Sequence, residues 1–521
     1  MDIYFFKKYK EKIIIGLVIL LLCIGIFIRI VGIDKIPNAL NVDEASAGYE
    51  AFSILNYGID RNNNKLPVFL VAWGSGQNAL LSYFMIPFIA LMGLNLLSIR
   101  LPMAIISSVS LIIFYLLLKR ISNRKIALIG LVFLCICPWH IAKSRWALES
   151  NLFPDMVLLA IFLLIKGLQD KNKIFYYFAY CVFGLTAYAY GTSYFFLPLF
   201  LIPIQIILLK RKEITIKQAI ISIGIVGIIS LPIIIFVIIN TFNLPQIELP
   251  FMTIPRMTVN RYEEITSIFS SDFLIKTFNN FIGTINILIK QVDGLEWNAI
   301  YPYGTIYIFS TIFTLIGIYY AIKNSKSIKC GFVFGIWGIV SILLSFICEP
   351  NINRLNILMF PIIFYTVLGI YEVVENTKWL SIILLVIYTI FFGLYLHTYI
   401  YEDSGNYSTF EKGLKEPIEY INSLEDKEIY ITNKIKEPYI YVLFYTKYNT
   451  NDFVNTVKYQ NTDVEFRQVE SFGKYIFEDI EIIENDKKNV YLIKTEDIDN
   501  YEIKDFKVTN FENYVVLEGT K

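Results

Sequence analysis

Residues 13–44, IIIGLVILLLCIGIFIRIVGIDKIPNALNVDE, decide the class of this chain. The first 19 of them, Ile13 to Val31, are apolar apart from Arg29, and that length lets a helix cross a hydrocarbon layer. The basic segment Lys7-Lys8-Tyr9-Lys10-Glu11-Lys12 precedes the run. The run is too long for the apolar part of a cleaved signal peptide and lacks a small-residue cleavage site, so it is expected to stay as an anchor with its N-terminus inside. About a dozen residues beyond it stand two adjacent acids, Asp43 and Glu44. A pair of carboxylates at a membrane surface is a place to look for chemistry.

Ten further apolar runs follow, at 100–118, 126–139, 152–166, 174–190, 194–209, 218–240, 303–322, 330–348, 355–371 and 379–400. With 55% apolar residues and a mean hydropathy of +0.54, the chain reads as an α-helical polytopic membrane protein of about 11 transmembrane helices plus interfacial helices. All six cysteines fall in apolar runs, which argues against disulfides and a thiolate metal site. Cys135 and Cys137 are expected to pack on different sides of one helix.

The net charge of +1 conceals two solvents. Residues 1–400 hold 31 Lys and Arg against 20 Asp and Glu, whereas residues 401–521 hold 15 against 25. The second segment has no long apolar run. It alternates β-rich stretches (Glu428 to Thr432, Asn489 to Lys494, Tyr514 to Glu518) with a helix-like Glu411 to Leu424, as a small soluble α/β domain would. The domains expected are therefore a membrane domain, 1–400, and an extracytoplasmic α/β domain, 401–521.

Basic residues mark the cytoplasmic connections: 119–125, 166–173, 210–217 and 323–329. If all four are inside, residues 32–99 lie outside. Asn78 to Gly93, apolar but short and broken by Pro87, then lies along the outer surface without crossing. Four connections face outward together: 32–99, 140–151, 241–302 and 349–354.

In the first connection, Asn41 reads as a helix N-cap, Asp43 and Glu44 as first-turn residues and Gly58 as the helix stop. Complementing the helix dipole accounts for both acids as well as a catalytic role does. Trp73-Gly-Ser-Gly-Gln77 is a glycine loop that turns the chain or lets backbone approach a ligand. The second connection is dense: Trp139, His140, Lys143, Ser144, Arg145, Trp146, Glu149 and Asn151. Headgroup anchoring explains Trp139 and Lys143. It does not explain Glu149, which opens a span and needs a cavity to face. The third connection carries Arg256, Arg261, Glu263, Glu264 and Asp272, then Asp293 and Trp297, and is long enough to shape a substrate site. In the fourth, Glu349-Pro-Asn-Ile-Asn353-Arg354-Leu-Asn356, Arg354 is either a snorkelling anchor or a phosphate ligand.

These residues, taken in order, carry a resemblance. Asp43-Glu44 after the first span, Gly93 with Arg100-Leu101-Pro102, Pro138-Trp139-His140 with Ser144-Arg145 and Glu149-x-Asn151, and a late Asn353-Arg354-x-Asn356 resemble the GT-C glycosyltransferases of glycosyltransferase family 39. That family includes the protein O-mannosyltransferases and the lipid A aminoarabinose transferases, and the likeness spans roughly residues 10–400. It implies transfer of a sugar, with inversion, from a polyprenyl-phosphate donor lipid to a protein, lipid or glycan acceptor outside the membrane. Asp43 matches the family's first-loop aspartate, the candidate general base, and Glu44 would support it. Where many relatives place a second-loop Asp, this chain has Glu149-Ser-Asn151, with Glu149 favoured for that role and Asn151 assisting.

Departing polyprenyl phosphate gains negative charge, which fixed cations would stabilise. Arg145 and Arg354 are the leading donor-phosphate residues, with Lys143 and His140 behind them. Asp293, Trp297, Asn356 and Trp73 are candidate substrate contacts. No phosphate-cradling glycine loop is present, nothing speaks for nucleic acid, and no cofactor is expected. A divalent ion is conceivable where carboxylates converge, yet Asp43-Glu44 lacks the Asp-x-Asp spacing, so transfer is expected to be metal-independent. The rival class is a flippase or transporter, which would show internal repeats and mid-membrane ionisable sites. No repeat is evident, and the acids avoid the middles of the runs; Arg29, near the end of its run, is an exception that either snorkels or lines the site. Heavy use of Ile, Lys and Asn points to an AT-rich genome, and a bacterial plasma membrane is the expected location.

Overall fold

The protein is described by a computed structural model covering residues 2–73, 76–257, 272–402, 410–461 and 467–521, with side chains from residue 11 onward. Gly74 and Ser75 of the glycine loop, and Arg261, Glu263 and Glu264 of the third connection, lie outside the described residues.

Each of the 11 apolar runs contains a helix. Among the described residues, seven helices are long and apolar enough to cross a membrane, or eight if the bent pair Arg124–Ile136 and Pro138–Ser144 is one span. The other runs hold Lys173–Thr186, Thr311–Lys323 and Phe332–Ile347, of 14, 13 and 16 residues, against the roughly 20 that a straight crossing needs. The chain is a multi-pass membrane protein, and the count of 11 spans exceeds what helix length alone supports. Run 126–139, expected as one helix, bends by 57°. Pro138 disfavours helical backbone at the residue before it, and Cys137 is accordingly extended, at φ −66° and ψ 119°. Cys135 and Cys137 therefore do not share a helix: the first lies inside one and the second sits at the break.

Two compact units are present, Met1–Val31, Met103–Leu231 and Tyr262–Tyr401 forming one, and Gly32–Pro102, Pro232–Arg261 and Glu402–Lys521 the other. The second unit thus groups the C-terminal segment with the first outer connection and with Pro232–Arg261. In the first unit, Thr311–Lys323 and Met359–Asn376 approach until their backbones touch. A Cβ on Gly317 would lie 1.7 Å from the Tyr365 carbonyl oxygen, and one on Gly369 would lie 1.9 Å from that of Phe313, the use that membrane helices make of small residues.

In the second unit, the helix Val42–Tyr57 starts with a capping box, Asn41 and Glu44 each accepting from the other's end of the turn, and stops at Gly58, whose φ of 71° suits glycine. Leu80–Met92 is a helix of 13 residues despite Pro87. The C-terminal segment forms a seven-stranded sheet among the described residues, in the order Lys507–Asn510, Tyr514–Glu518, Asn489–Lys494, Glu428–Thr432, Tyr475–Glu478, Val469–Phe472, Lys458–Tyr459. Glu428–Thr432 pairs in parallel with both neighbours, Asn489–Lys494 and Tyr475–Glu478. The three stretches read as β-rich are strands with those limits, and Glu411 to Leu424 holds the helix Lys415–Asn422. Part-buried hydrogen bonds join this domain to the first connection. The Tyr49 hydroxyl donates to the Tyr448 carbonyl at 2.9 Å, and Arg467 Nη2 donates to Asn62 Oδ1 at 2.7 Å.

Burial raises the Glu437 carboxyl to about 7, with Arg61 and Lys436 opposing. Because the folded value exceeds the unfolded one, the stabilisation is present below about pH 4.5 and lost as pH rises through about 7. Glu437→Gln is expected to match the wild type in thermal unfolding near pH 5 and to exceed it by about 1–2 kcal/mol near pH 8.5, after allowance for solvent screening.

Candidate functional site

The acidic pair divides its labour. Glu44 and Arg100 are both fully buried. Arg100 Nε donates to Glu44 Oε1 at 2.8 Å and Nη2 to Oε2 at 2.7 Å. Its other donors reach the carbonyls of Ile33 (2.9 Å), Pro37 (2.7 Å) and Ala39 (2.6 Å). A guanidinium has five N–H groups, and here each one has an acceptor. Such a fork against a carboxylate is the strongest common side-chain pairing. Asp43, one residue earlier on the first turn, is half-buried and receives Gln77 Nε2 at 3.4 Å on Oδ1. Arg100 belongs to the resemblance motif, but its sequence context carried no sign of its partner 56 residues away.

A second buried charge group lies in the same unit. Arg61 Nε is 3.1 Å from Glu50 Oε1, and its guanidinium stands 5.0 Å from the centroid of the Trp73 ring and 5.8 Å from that of Tyr439. Burial pushes Glu50 up to about 8 against the pull of Arg61. Trp73, a candidate substrate contact, is thus buried against Arg61 and Tyr439, with φ at 54°. Asp60 accepts from Asn62 and Asn64.

The membrane-helix unit contains the remaining candidates. His140 and Lys143 do not face outward. Both are buried in a network with Arg29, whose Nε and Nη2 approach His140 Nδ1 at 3.0 and 2.8 Å. Arginine only donates, so Nδ1 accepts and the imidazole proton resides on Nε2. Arg29 also donates to the carbonyls of Gly25 and Leu134, each at 2.8 Å. It faces inward, and does not snorkel. Lys143 Nζ pairs with Asp155 Oδ2 at 2.7 Å and lies 4.5 Å from the centroid of the Trp139 ring. Ser107 Oγ donates to the same Asp155 oxygen at 3.1 Å, and Asp155 Oδ1 is 3.8 Å from His140 Nε2. Asp155 is the residue that sequence reasoning missed. It sits four residues into run 152–166, and an acid inside an apolar run is itself a signal for a buried cation.

Arg145 is buried and donates to the carbonyls of Ile28 and Val31 (Nη2 to Val31 at 3.0 Å), where a cation complements the end of the first helix. Arg354 is only partly covered and bonds the Glu349 carbonyl at 2.8 Å and its carboxylate at 3.2 Å. Glu149 opens the helix Glu149–Gln169 and is half-buried. Asn151 and Asn356 have their amides committed to each other at 3.1 Å, and Asn356 Oδ1 accepts from Trp139 Nε1 at 2.7 Å. Asp293 holds the third connection to the fourth, accepting from Ile352 N at 2.8 Å and Asn298 Nδ2 at 2.7 Å. Trp297 is half-buried. Among the described residues, no three His, Cys, Asp or Glu side chains gather as a metal-binding group.

Removing one member of a buried pair leaves an uncompensated charge. Asp155→Ala is expected to destabilise the purified protein by about 3–5 kcal/mol in thermal unfolding, and Asp155→Leu combined with Lys143→Met should recover most of that loss.

Residues 78–239 match the model of a family described as dolichyl-phosphate-mannose-protein mannosyltransferase. No curated protein is significantly similar in sequence. Among solved structures, ArnT from Cupriavidus metallidurans bound to undecaprenyl phosphate superposes with a TM-score of 0.56 at 10% identity, over 96% of this chain and 98% of its own. The oligosaccharyltransferase AglB from Archaeoglobus fulgidus, in complex with an inhibitory peptide and a dolichol-phosphate, gives 0.51 at 12% identity, over 84% and 64%. At such identities the likeness is one of architecture. The chain therefore has the GT-C glycosyltransferase fold and resembles ArnT and the mannosyltransferases.

Proposed function

We propose that this protein is a membrane glycosyltransferase that moves a sugar, with inversion, from a polyprenyl-phosphate donor to an acceptor hydroxyl on the outer face of a bacterial plasma membrane. The N-terminus is then cytoplasmic and the C-terminal domain extracytoplasmic. The observation that carries the proposal is the division within the acidic pair. Glu44 is held on both oxygens by Arg100, whereas Asp43, beside it on the same turn, is half-buried and is the member to which we assign the proton chemistry. Support also comes from the two structures of like fold, one bound to undecaprenyl phosphate and the other to a dolichol-phosphate.

In the proposed reaction, the Asp43 carboxylate accepts the acceptor's hydroxyl proton as that oxygen bonds to the anomeric carbon. The bond from that carbon to the phosphate oxygen breaks, and its electron pair leaves with polyprenyl phosphate. Arg354, the least enclosed of the candidate cations, contacts the phosphate; Arg145 adds positive potential from the end of the first helix. His140 and Lys143 act behind them by holding the second connection. Glu149 and Asn151 shape the second connection, while Asp293, Trp297, Asn356 and Trp73 order the surrounding segments. Transfer is metal-independent in this scheme, since committing Glu44 to Arg100 leaves one carboxylate of the pair, too few to hold an ion alone.

Membranes given labelled polyprenyl-phosphate sugars should move label from lipid to an acceptor. Asp43→Asn is expected to lower that transfer by roughly 10²–10⁴-fold while binding of the carrier lipid persists. No label transfer by the wild type, together with lipid movement across the bilayer that persists in Asp43→Asn, would favour a flippase; transfer unchanged in Asp43→Asn would remove Asp43 from the role of base.

A further inference from the structure

In the membrane-helix unit, the helices Thr311–Lys323, Phe332–Ile347 and Met359–Asn376 enclose a groove of about 800 Å³. Its walls are mostly apolar, and they include Leu315 and Ile339, which are 64% and 61% exposed. One wall is bare: a Cβ on Gly335 would meet only the Tyr365 hydroxyl, at 3.7 Å. Apolar side chains exposed on the outside of a membrane helix bundle meet lipid chains.

The groove has chemically different ends. At one, Leu288, Ile306, Leu358 and Ile362 continue into a small cavity that reaches Ile352 and Leu355, the neighbourhood of Arg354. The other is closed by Arg211, with Ser325, Ile328 and Cys330. The ends are separated by the length of Thr311–Lys323, about 18 Å at 1.5 Å per residue. Arg211 lies over the Phe332 ring at 4.2 Å from its centroid, is about half exposed, and has its carboxylate neighbour Glu213 only at 4.0 Å. The two connections at this end carry Lys210, Lys212, Lys217, Lys323, Lys326 and Lys329, with Glu213 as their only acid. That charge surplus asks for an anion.

We propose that the groove binds an anionic phospholipid of the surrounding bilayer, with an acyl chain along the apolar walls and its phosphodiester on Arg211. Basic pockets between membrane helices select acidic headgroups in this way, and a guanidinium suits paired hydrogen bonds to phosphate. Charge complementarity favours a phospholipid over the prenyl chain of a carrier. A carrier with its phosphate near Arg354 would bring only hydrocarbon to the Arg211 end, whereas an acidic phospholipid answers both the apolar walls and the cation.

The test uses the full-length protein purified in a maltoside detergent and titrated with dioleoylphosphatidylglycerol or dioleoylphosphatidylcholine, with bound lipid counted by native mass spectrometry. The wild type is expected to retain phosphatidylglycerol preferentially. Arg211→Gln, at a half-exposed position, should weaken that retention by roughly tenfold or more and leave phosphatidylcholine unchanged. Gly335→Leu, which fills the groove, should lower occupancy by both lipids. Equal retention of the two lipids by the wild type, or a preference that survives Arg211→Gln, would overturn the proposal. So would one-for-one displacement of phosphatidylglycerol by undecaprenyl phosphate, which would give the groove to the carrier.

Discussion

A buried guanidinium is tolerable only when every donor finds an acceptor and its charge finds a partner. Arg100 meets both conditions through Glu44 and three carbonyls between Ile33 and Ala39. The segment after the first apolar run is thereby wrapped around one side chain, and the start of the helix Val42–Tyr57 is set with it. Glu44 also closes the capping box with Asn41. Successive residues on a helix point about 100° apart, so fixing Glu44 inward fixes the direction of Asp43. Everything proposed about proton transfer depends on that clamp.

The membrane-helix unit repeats the device with different partners. Arg29 and Arg145 attach the first helix to the second outer connection, and Asp155 neutralises Lys143 from the following helix. Trp139, Asn356 and Asn151 then bring the fourth connection onto the second. Most of the cations that the sequence offered as phosphate ligands thus have internal acceptors, and Arg354 stands out by its partial exposure. Residues that look catalytic in a list of polar positions are here largely the framework that holds such positions still.

Local signals were readable and distant pairings were not. Asn41, the acids after it and Gly58 outlined the helix Val42–Tyr57, because a cap is written within a few residues. A β-rich composition over a few residues marked the strands Glu428–Thr432, Asn489–Lys494 and Tyr514–Glu518, whose side chains are mostly buried. The break at Cys137 was missed because the run stays apolar across Pro138, although the proline itself was a warning. The pairs Glu44 with Arg100, Glu50 with Arg61 and Lys143 with Asp155 join residues 56, 11 and 12 positions apart, and a single sequence contains no rule that matches such partners. Hydropathy also runs past helix limits: run 303–322 begins before Thr311–Lys323 does, and run 174–190 continues beyond the end of Lys173–Thr186.

The clamp can be loosened without emptying it. Glu44→Gln keeps the shape of the side chain and one hydrogen-bond acceptor for Arg100, while removing the charge that holds the fork. The most direct measurement is the turnover of this variant with a labelled polyprenyl-phosphate sugar at varied donor concentration. If the clamp aims Asp43, kcat falls by about 10²-fold or more with KM for the donor nearly unchanged, in protein that remains folded. Wild-type kcat in folded Glu44→Gln would contradict the account.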